Sequence, residues 1–131
     1  MVCLDSDILI EFLRNNAKVI DFIKKITEDG KNISTTTINS FELFKGATIA
    51  PRRNPIKNIE EFLSTMNILL FDLKSSKKAA EIFENLKSKG KMIDELDILI
   101  ASIAISNDET ILTLNKKHFL EIPGLKIEDV N

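Results

Sequence analysis

Three acidic side chains occupy positions where the surrounding sequence is apolar. Asp5 directly follows the apolar run 2–4 and precedes a predicted helix. Glu42 lies one helical turn after Ile38, so its carboxylate borders the apolar face of a predicted helix. Asp97 lies in a segment whose downstream residues are nearly all apolar. Carboxylates in such surroundings cost free energy unless they are paired or bind a cation, so these three are the candidates for chemistry.

The types of these residues indicate which cation they would bind. Three carboxylates brought together repel one another, and a divalent cation removes that conflict. Mg²⁺ or Mn²⁺ prefers oxygen ligands, whereas zinc prefers histidine and cysteine. The chain has one histidine, His118, and one cysteine, Cys3, which makes a zinc site a poor fit. Carboxylate-held Mg²⁺ that activates water for attack on a phosphodiester is the chemistry that these residues permit.

Each acid also has a structural interpretation. Ser6 or Asp7 is expected to cap the helix that follows Asp5. Glu42 could form a salt bridge with a lysine whose stem lies along the apolar surface. Asp94 and Asp97 both fall in the first turn of a predicted helix, where negative charge favourably meets the helix dipole. The apolar neighbours of Asp97 make a purely structural role least comfortable at that position.

Short apolar runs alternate with longer segments of helical periodicity. The predicted strands cover 2–5, 32–35, 67–72, 110–113 and 125–127, the third as a buried strand and the last as an edge strand. The predicted helices cover 7–14, 17–28, 36–47, a segment ending at Leu63, 74–89, 94–107 and 116–121, and the segment 50–55 is predicted to be a loop. This alternation is typical of an α/β fold with a mostly parallel sheet and helices on both faces. Ligands bind such sheets beyond the carboxyl ends of the strands, where Asp5 is expected to lie.

Composition limits the remaining possibilities. The 131 residues suit a single domain covering 1–131, and the net charge of −2 does not attract nucleic acid to the chain as a whole. RNA binding would therefore depend on a local basic surface or on bound cations. No segment has the roughly 20 apolar residues of a membrane span, and no secretion signal is recognisable. With its single cysteine, the chain is expected to be cytoplasmic.

The sequence resembles the PIN-domain family, in particular the VapC-type toxins of VapBC toxin–antitoxin systems. The matching segments, in the family's order, are LDSDILIEFLR, ISTTTINSFELFKGA, IDELDILIASIAI and ILTLNKKHFLEIPGL. The resemblance implies a three-layer α/β/α domain and Mg²⁺-dependent endoribonuclease activity, with Mn²⁺ as a substitute metal. It further implies that the chain is a toxin that cleaves RNA, forms a homodimer and binds a cognate VapB-like antitoxin.

The same resemblance assigns roles to individual residues. Asp5, Glu42 and Asp97 fall on the three acids of the family motif. Asn115 falls on a fourth position that is acidic in many members, and an amide there adds no charge for a second metal. Ser6 stands where the family usually has Thr. Thr113 falls on a hydroxyl that supports the site, and Asp94 is a possible outer group.

Basic residues are the candidates for phosphate contacts. Arg14, one helix beyond Asp5, is the first choice. The other candidates are Arg52, Arg53, Lys87, Lys89, Lys91, Lys116 and Lys117. His118 is expected to be a surface or packing residue and not a general base, since water activated by a metal needs no imidazole.

Other functional classes remain open from the sequence. The DSD segment resembles the start of a haloacid-dehalogenase-type phosphatase motif, although Leu9 stands at its fifth position. A phospho-acceptor receiver domain has a similar length, with Asp72 as its only candidate acceptor. A PIN fold that has lost catalysis and only binds partners is a third possibility. Metal-dependent RNA cleavage would distinguish the nuclease from the others.

Overall fold

Five parallel strands form one sheet at the centre of the fold. The computed structural model describes residues 1–130. The strands are β1 (Val2–Leu4), β2 (Ile33–Thr36), β3 (Asn67–Leu69), β4 (Thr110–Thr113) and β5 (Lys126–Asp129). Their spatial order is β3-β2-β1-β4-β5, and every pairing is parallel. The first strand is therefore central, with β2 on one side and β4 on the other.

Helices cover both faces of this sheet. They are α1 (Ser6–Leu13), α2 (Ala17–Glu28), α3 (Thr37–Ile49), α4 (Ile56–Leu63), α5 (Leu73–Ser88) and α6 (Glu95–Ser106), followed by a 3₁₀ turn at Lys116–His118. Within residues 1–130, no helix is both long and apolar enough to cross a membrane.

Two hydrophobic cores lie on opposite faces of the sheet. One joins the apolar sides of the first four helices to Leu4 and Leu112, and the other joins the last two helices to Ile111 and Phe119. The neighbours Ile111 and Leu112 belong to different cores because successive side chains of a strand point to opposite faces. Each fully buried Leu or Ile stabilises the fold by about 1.5–3 kcal/mol. The predicted α/β fold with helices on both faces is confirmed.

Local signals explain where several helices begin and end. The Asn16 side chain accepts hydrogen bonds at the start of α2, and Asp72 forms a capping box with Ser75 at the start of α5. Gly30 and Gly90 follow α2 and α5 with φ angles of 78° and 67°. That left-handed conformation favours glycine and ends both helices.

The predicted third strand differs most from the observed one. It was expected to be buried over 67–72, but β3 ends at Leu69 and forms an edge of the sheet. Leu70 is 63% exposed. An apolar run alone does not tell a central strand from an edge strand, because that depends on which strands pair. The predicted helix at 116–121 is a single 3₁₀ turn, whereas the predicted last strand does lie at the other edge.

Candidate active site

Asp5 lies at the carboxyl end of the central strand. Its backbone N–H donates to the Leu112 carbonyl at 3.0 Å, so a hydrogen bond holds the Asp5 backbone against the neighbouring strand β4. The Asp5 side chain is only 8% exposed. Its Oδ1 accepts the Ser6 amide at 2.9 Å, so Asp5 is the N-cap residue of α1. The expectation that Ser6 or Asp7 caps this helix is wrong, because the strand ends one residue earlier than predicted.

Hydrogen bonds from two neighbouring segments orient the Asp5 carboxylate. Thr113 Oγ1 donates to Oδ2 at 2.9 Å from the end of β4, and Asn39 Nδ2 donates to Oδ1 at 3.1 Å from α3. Burial raises the pKa of Asp5, and the hydrogen bonds from Thr113, Ser6 and Asn39 oppose that rise. Thr113 therefore contacts Asp5 directly, from the strand next to β1.

Asn39 is a positioning residue that the sequence did not single out. It is completely buried. Its Oδ1 accepts the Thr36 hydroxyl at 2.7 Å, while its Nδ2 donates to Asp5 and also to Ser6 Oγ at 2.8 Å. One amide thus connects the start of α3 with the start of α1. The available signal was its place three residues before Glu42, on the same side of the helix.

Glu42 is connected to Asp5 through the same network. Ser6 Oγ donates to Glu42 Oε1 at 2.7 Å, so the Ser6 hydroxyl lies between Asn39 and the carboxylate. Burial raises the pKa of Glu42, and the Ser6 hydrogen bond opposes that rise. The charge of Asp5 raises the same pKa, and the charge of Lys45 lowers it.

Asp97 lies in the first turn of α6, near the other two acids. Its side chain is 17% exposed. Burial and the charge of Asp5 raise the pKa of Asp97 to about 6, with smaller contributions from Asp94 and Glu42. His118 opposes this rise, with Nδ1 at 3.4 Å from Asp97 Oδ2. The three predicted acids therefore lie close enough together for their charges to interact. Asp5, Glu42 and Asp97 are called the acid cluster below.

The remaining supporting residues lie around this cluster. Asp94 is exposed, and its Oδ1 accepts the Leu96 amide at 2.9 Å as the N-cap of α6. Asn115 follows β4, with an exposed side chain and a backbone N–H that donates to Thr113 Oγ1 at 3.0 Å. Arg14 lies at the opposite end of α1 from Asp5.

Asp7 is an additional acid near the cluster. Its Oδ2 accepts hydrogen bonds from Thr113 Oγ1 at 3.2 Å and from the Leu114 amide at 3.1 Å. Its Oδ1 is buried without a hydrogen-bond partner. Burial and the charge of Asp5 raise the pKa of Asp7 to about 6. The signal in the sequence was the second acid of the DSD segment, which predicted only a helix cap.

The donor set fits a hydrated divalent cation better than a closed metal cage. Among residues 1–130, no three His, Cys, Asp or Glu side chains lie close enough together to enclose a metal ion. Burial nevertheless raises the pKa of Asp5, Glu42 and Asp97, and the charge of Asp5 raises those of Glu42 and Asp97 further, so a bound cation would favour their charged forms. Mg²⁺ keeps several of its water ligands in proteins, so it does not require direct contact with every carboxylate.

The geometry does not support the receiver-domain alternative. Asp72 is exposed, follows the edge strand β3, and caps α5 through a 2.9 Å hydrogen bond from the Ser75 amide. Hydrogen bonds from Ser75 lower the pKa of Asp72. A phospho-acceptor would be expected at the end of a central strand, and in this sheet that position belongs to Asp5.

Known proteins similar to this chain share its fold and its length. The PIN domain family model matches residues 2–125. The tRNA(fMet)-specific endonuclease VapC of Salmonella typhimurium is 29% identical, over 96% of this chain and 95% of that protein. Ribonuclease VapC3 of Methanocaldococcus jannaschii is 36% identical, over 76% of this chain and 94% of that protein. The structure of VapBC2 from Rickettsia felis, bound to a promoter DNA fragment, matches with a TM-score of 0.89 and 26% identity, covering 98% of both chains. The chain belongs to the PIN-domain family.

Proposed function

We propose that this chain is an endoribonuclease that hydrolyses RNA phosphodiester bonds with a divalent cation held by Asp5, Glu42 and Asp97. The observation that carries this proposal is the convergence of the three acids, which come from the end of β1, from α3 and from α6. The charge of Asp5 raises the pKa of both Glu42 and Asp97, although 37 residues separate Asp5 from Glu42 and 55 separate Glu42 from Asp97 in the sequence. Relatives over nearly the whole chain are named as ribonucleases, which supports RNA as the substrate.

Mg²⁺ is the cation that we propose, with Mn²⁺ as a substitute, because the donors are carboxylate oxygens. When bound, Mg²⁺ supplies Lewis-acid activation of water and neutralises charge on the phosphodiester. Neighbouring side chains hold these carboxylates in a fixed orientation. Thr113 and Asn39 orient Asp5, Ser6 orients Glu42, and His118 lies against Asp97. Asn115 can hydrogen-bond a water molecule but adds no charge, so one cation fits this site better than two.

We also propose that the chain is the toxin of a toxin–antitoxin pair. Several of the similar structures are described as VapBC or toxin–antitoxin complexes, which supports a VapB-like antitoxin as partner. A homodimer is part of this proposal, as is a cytoplasmic location, where an RNA substrate is accessible. The PIN-domain fold leaves the phosphatase and receiver alternatives without support, and a catalytically inactive PIN domain is the remaining competitor.

A cleavage assay tests the proposal. Wild-type protein is incubated with single-stranded RNA in Mg²⁺, in Mn²⁺ and in excess chelator, beside Asp5→Asn and Asp97→Asn. Cleavage is expected only in wild type with metal, because an amide keeps the shape of a carboxylate but loses the charge that holds the cation. The control is Asp108→Asn, an exposed acid paired with Lys126 at 2.7 Å, which should cleave like wild type. Full activity in chelator would refute the metal site, and no cleavage by wild type on any RNA would favour the inactive domain.

A further inference from the structure

The carboxyl edge of the sheet brings basic residues to two sides of the acid cluster. In the order β3-β2-β1-β4-β5, α3 follows β2 and the 3₁₀ turn Lys116–His118 follows β4. Asp5 follows β1, which lies between them. Neighbouring strands are about 4.8 Å apart, so the ends of β2 and β4 are separated by about 10 Å, with Asp5 in the middle.

The 3₁₀ turn is attached to the cluster at both of its ends. On its N-terminal side, the Asn115 amide donates to Thr113 Oγ1 at 3.0 Å, and Thr113 in turn donates to Asp5. At its C-terminal end, His118 Nδ1 lies 3.4 Å from Asp97 Oδ2. Lys116 and Lys117 lie between these two contacts, and both are exposed. Consecutive Cα atoms are 3.80 Å apart, so neither lysine can be far from the acids.

The two lysines have no competing acidic partner in the part of the chain that the structure describes. Neither forms an ion pair within residues 1–130. Lys91, in contrast, pairs with Glu121 at 3.8 Å. The positive charges of Lys116 and Lys117 are therefore available to a ligand at the rim of the acid cluster.

Lys45 provides positive charge on the other side. It lies one helical turn after Glu42 on α3, and its charge lowers the pKa of Glu42. Its Nζ is 5.6 Å from the centre of the Phe41 ring, a cation–π contact that holds the ammonium group near the surface of α3. Phe41 itself is exposed, so its ring is accessible beside this charge.

Arg14, the first choice from the sequence, does not share this location. It lies at the far end of α1, and eight helical residues span roughly 12 Å. Its guanidinium is 3.4 Å from Glu11, which already offsets its charge. The basic residues nearest to the acids are therefore those of the 3₁₀ turn and α3.

We propose that single-stranded RNA crosses the carboxyl edge of the sheet over Asp5, with its phosphates contacting Lys116 and Lys117 on one side and Lys45 on the other. This inference rests on the proposed function and adds to it the path of the substrate. The acid cluster repels a polyanion, so flanking cations are required to hold the backbone across it. Lysines on opposite sides of Asp5 define a path for the RNA backbone across this acid, which one basic patch would not.

The salt dependence of RNA binding tests this path. Affinity of a fluorescein-labelled oligouridylate is measured by anisotropy from about 50 to about 200 mM salt. The background is Asp5→Asn with Mg²⁺ present, so that the RNA is not cleaved. Each phosphate contact contributes roughly 0.7 to the slope of log affinity against log salt for single strands. Lys116→Ala with Lys117→Ala should lower the slope by about 1.4, and Lys45→Ala by about 0.7.

The matched control is Lys24→Ala with Lys25→Ala, two adjacent exposed lysines near the end of α2. Because α2 ends shortly before β2 begins, this pair lies toward the amino edge of the sheet, and its removal should leave the slope unchanged. If either the double variant at Lys116 and Lys117 or the Lys45→Ala variant keeps the wild-type slope, the proposed path is wrong. An equal decrease of the slope in the control would also overturn it. Wild-type protein that fails to cleave RNA would instead refute the proposed function, so the two failures can be distinguished.

Discussion

The Ser6 hydroxyl donates a 2.7 Å hydrogen bond to Glu42 Oε1 across 36 residues of sequence. The same hydroxyl accepts from Asn39 Nδ2 at 2.8 Å, so its proton is directed at the carboxylate. This contact joins the first helix to the third and gives the Glu42 side chain a defined orientation. In metal sites, hydrogen bonds of this kind hold carboxylate ligands in a fixed orientation.

Removal of the Ser6 hydroxyl should weaken metal binding. In Ser6→Ala, the Glu42 carboxylate loses its orienting donor, and we expect a loss of about 10–100-fold in Mn²⁺ affinity, measured by isothermal titration calorimetry. Ser6→Thr keeps the hydroxyl and should restore most of that affinity. Ser64→Ala is the control, since Ser64 Oγ only donates to the Glu61 carbonyl on the surface. Equal affinities of Ser6→Ala and wild type would show that Glu42 does not hold the cation.

Asp97 should make the metal-free protein less stable as the pH rises. Its pKa is about 6 in the folded state, above the ordinary aspartate value of 3.8, so the folded state binds more protons than the unfolded state between these two pH values. Its contribution to stability is therefore fully present below about pH 4 and is lost as the pH rises through about 6. In chelator at pH 7, Asp97→Asn should melt at least about 3 °C higher than wild type, the shift that roughly 1 kcal/mol produces.

Added Mg²⁺ and the Asp108→Asn variant provide the controls for the thermal melt of Asp97→Asn. Saturating Mg²⁺ should raise the Tm of wild type by mass action and that of Asp97→Asn much less. Asp108→Asn should not gain stability, because Lys126 lowers the pKa of the exposed Asp108 and the charged form is the favoured one. If Asp97→Asn melts lower than wild type in chelator and gains as much from Mg²⁺, Asp97 is a structural residue.

Glu109 is a buried carboxylate outside the acid cluster, and its charge should also destabilise the folded state. It is 2% exposed at the amino end of β4, with Oε2 accepting from Ser34 Oγ at 3.0 Å and Oε1 lacking a hydrogen-bond partner. Burial raises the pKa of Glu109, so its charged form destabilises the fold as the pH rises. Glu109→Gln should raise the Tm at pH 8 more than at pH 4 and leave RNA cleavage unchanged. A lower Tm at pH 8 would mean that the carboxylate is stabilised by its surroundings.

Asn39 should be important for both stability and catalysis. Asn39→Ala removes the capping box of α3 and the Nδ2 group that donates to both Asp5 and Ser6. We expect a loss of about 2–4 kcal/mol in the free energy of unfolding, measured with urea, together with weaker metal binding. Asn58→Ala, at an exposed position on α4, should stay within about 0.5 kcal/mol of wild type. A similarly small loss in Asn39→Ala would contradict its role in holding the two helices together.

Several features of this protein could be predicted from sequence because they depend on local patterns. Helical periodicity predicted α2 over the observed residues, and the apolar run before Asp5 predicted a strand that ends near this acid. Alternation of strands and helices predicted parallel pairing, which in turn directed attention to Asp5 at the carboxyl edge. These predictions need only the spacing of apolar residues within each segment and the order of the segments along the chain.

Other features depended on contacts between distant segments. Asn39 touches Asp5 across 34 residues, and Thr113 touches it across 108. Whether β3 was central or at an edge depended on its pairing with β2 alone, and the closeness of Lys116 to the acids depended on β4 lying beside β1. Periodicity within a segment carries no information about which segments become neighbours. The sequence therefore determined the elements and the candidate acids, whereas only the tertiary structure decided which side chains orient them, because hydrogen bonds at this site join residues that the sheet brings together.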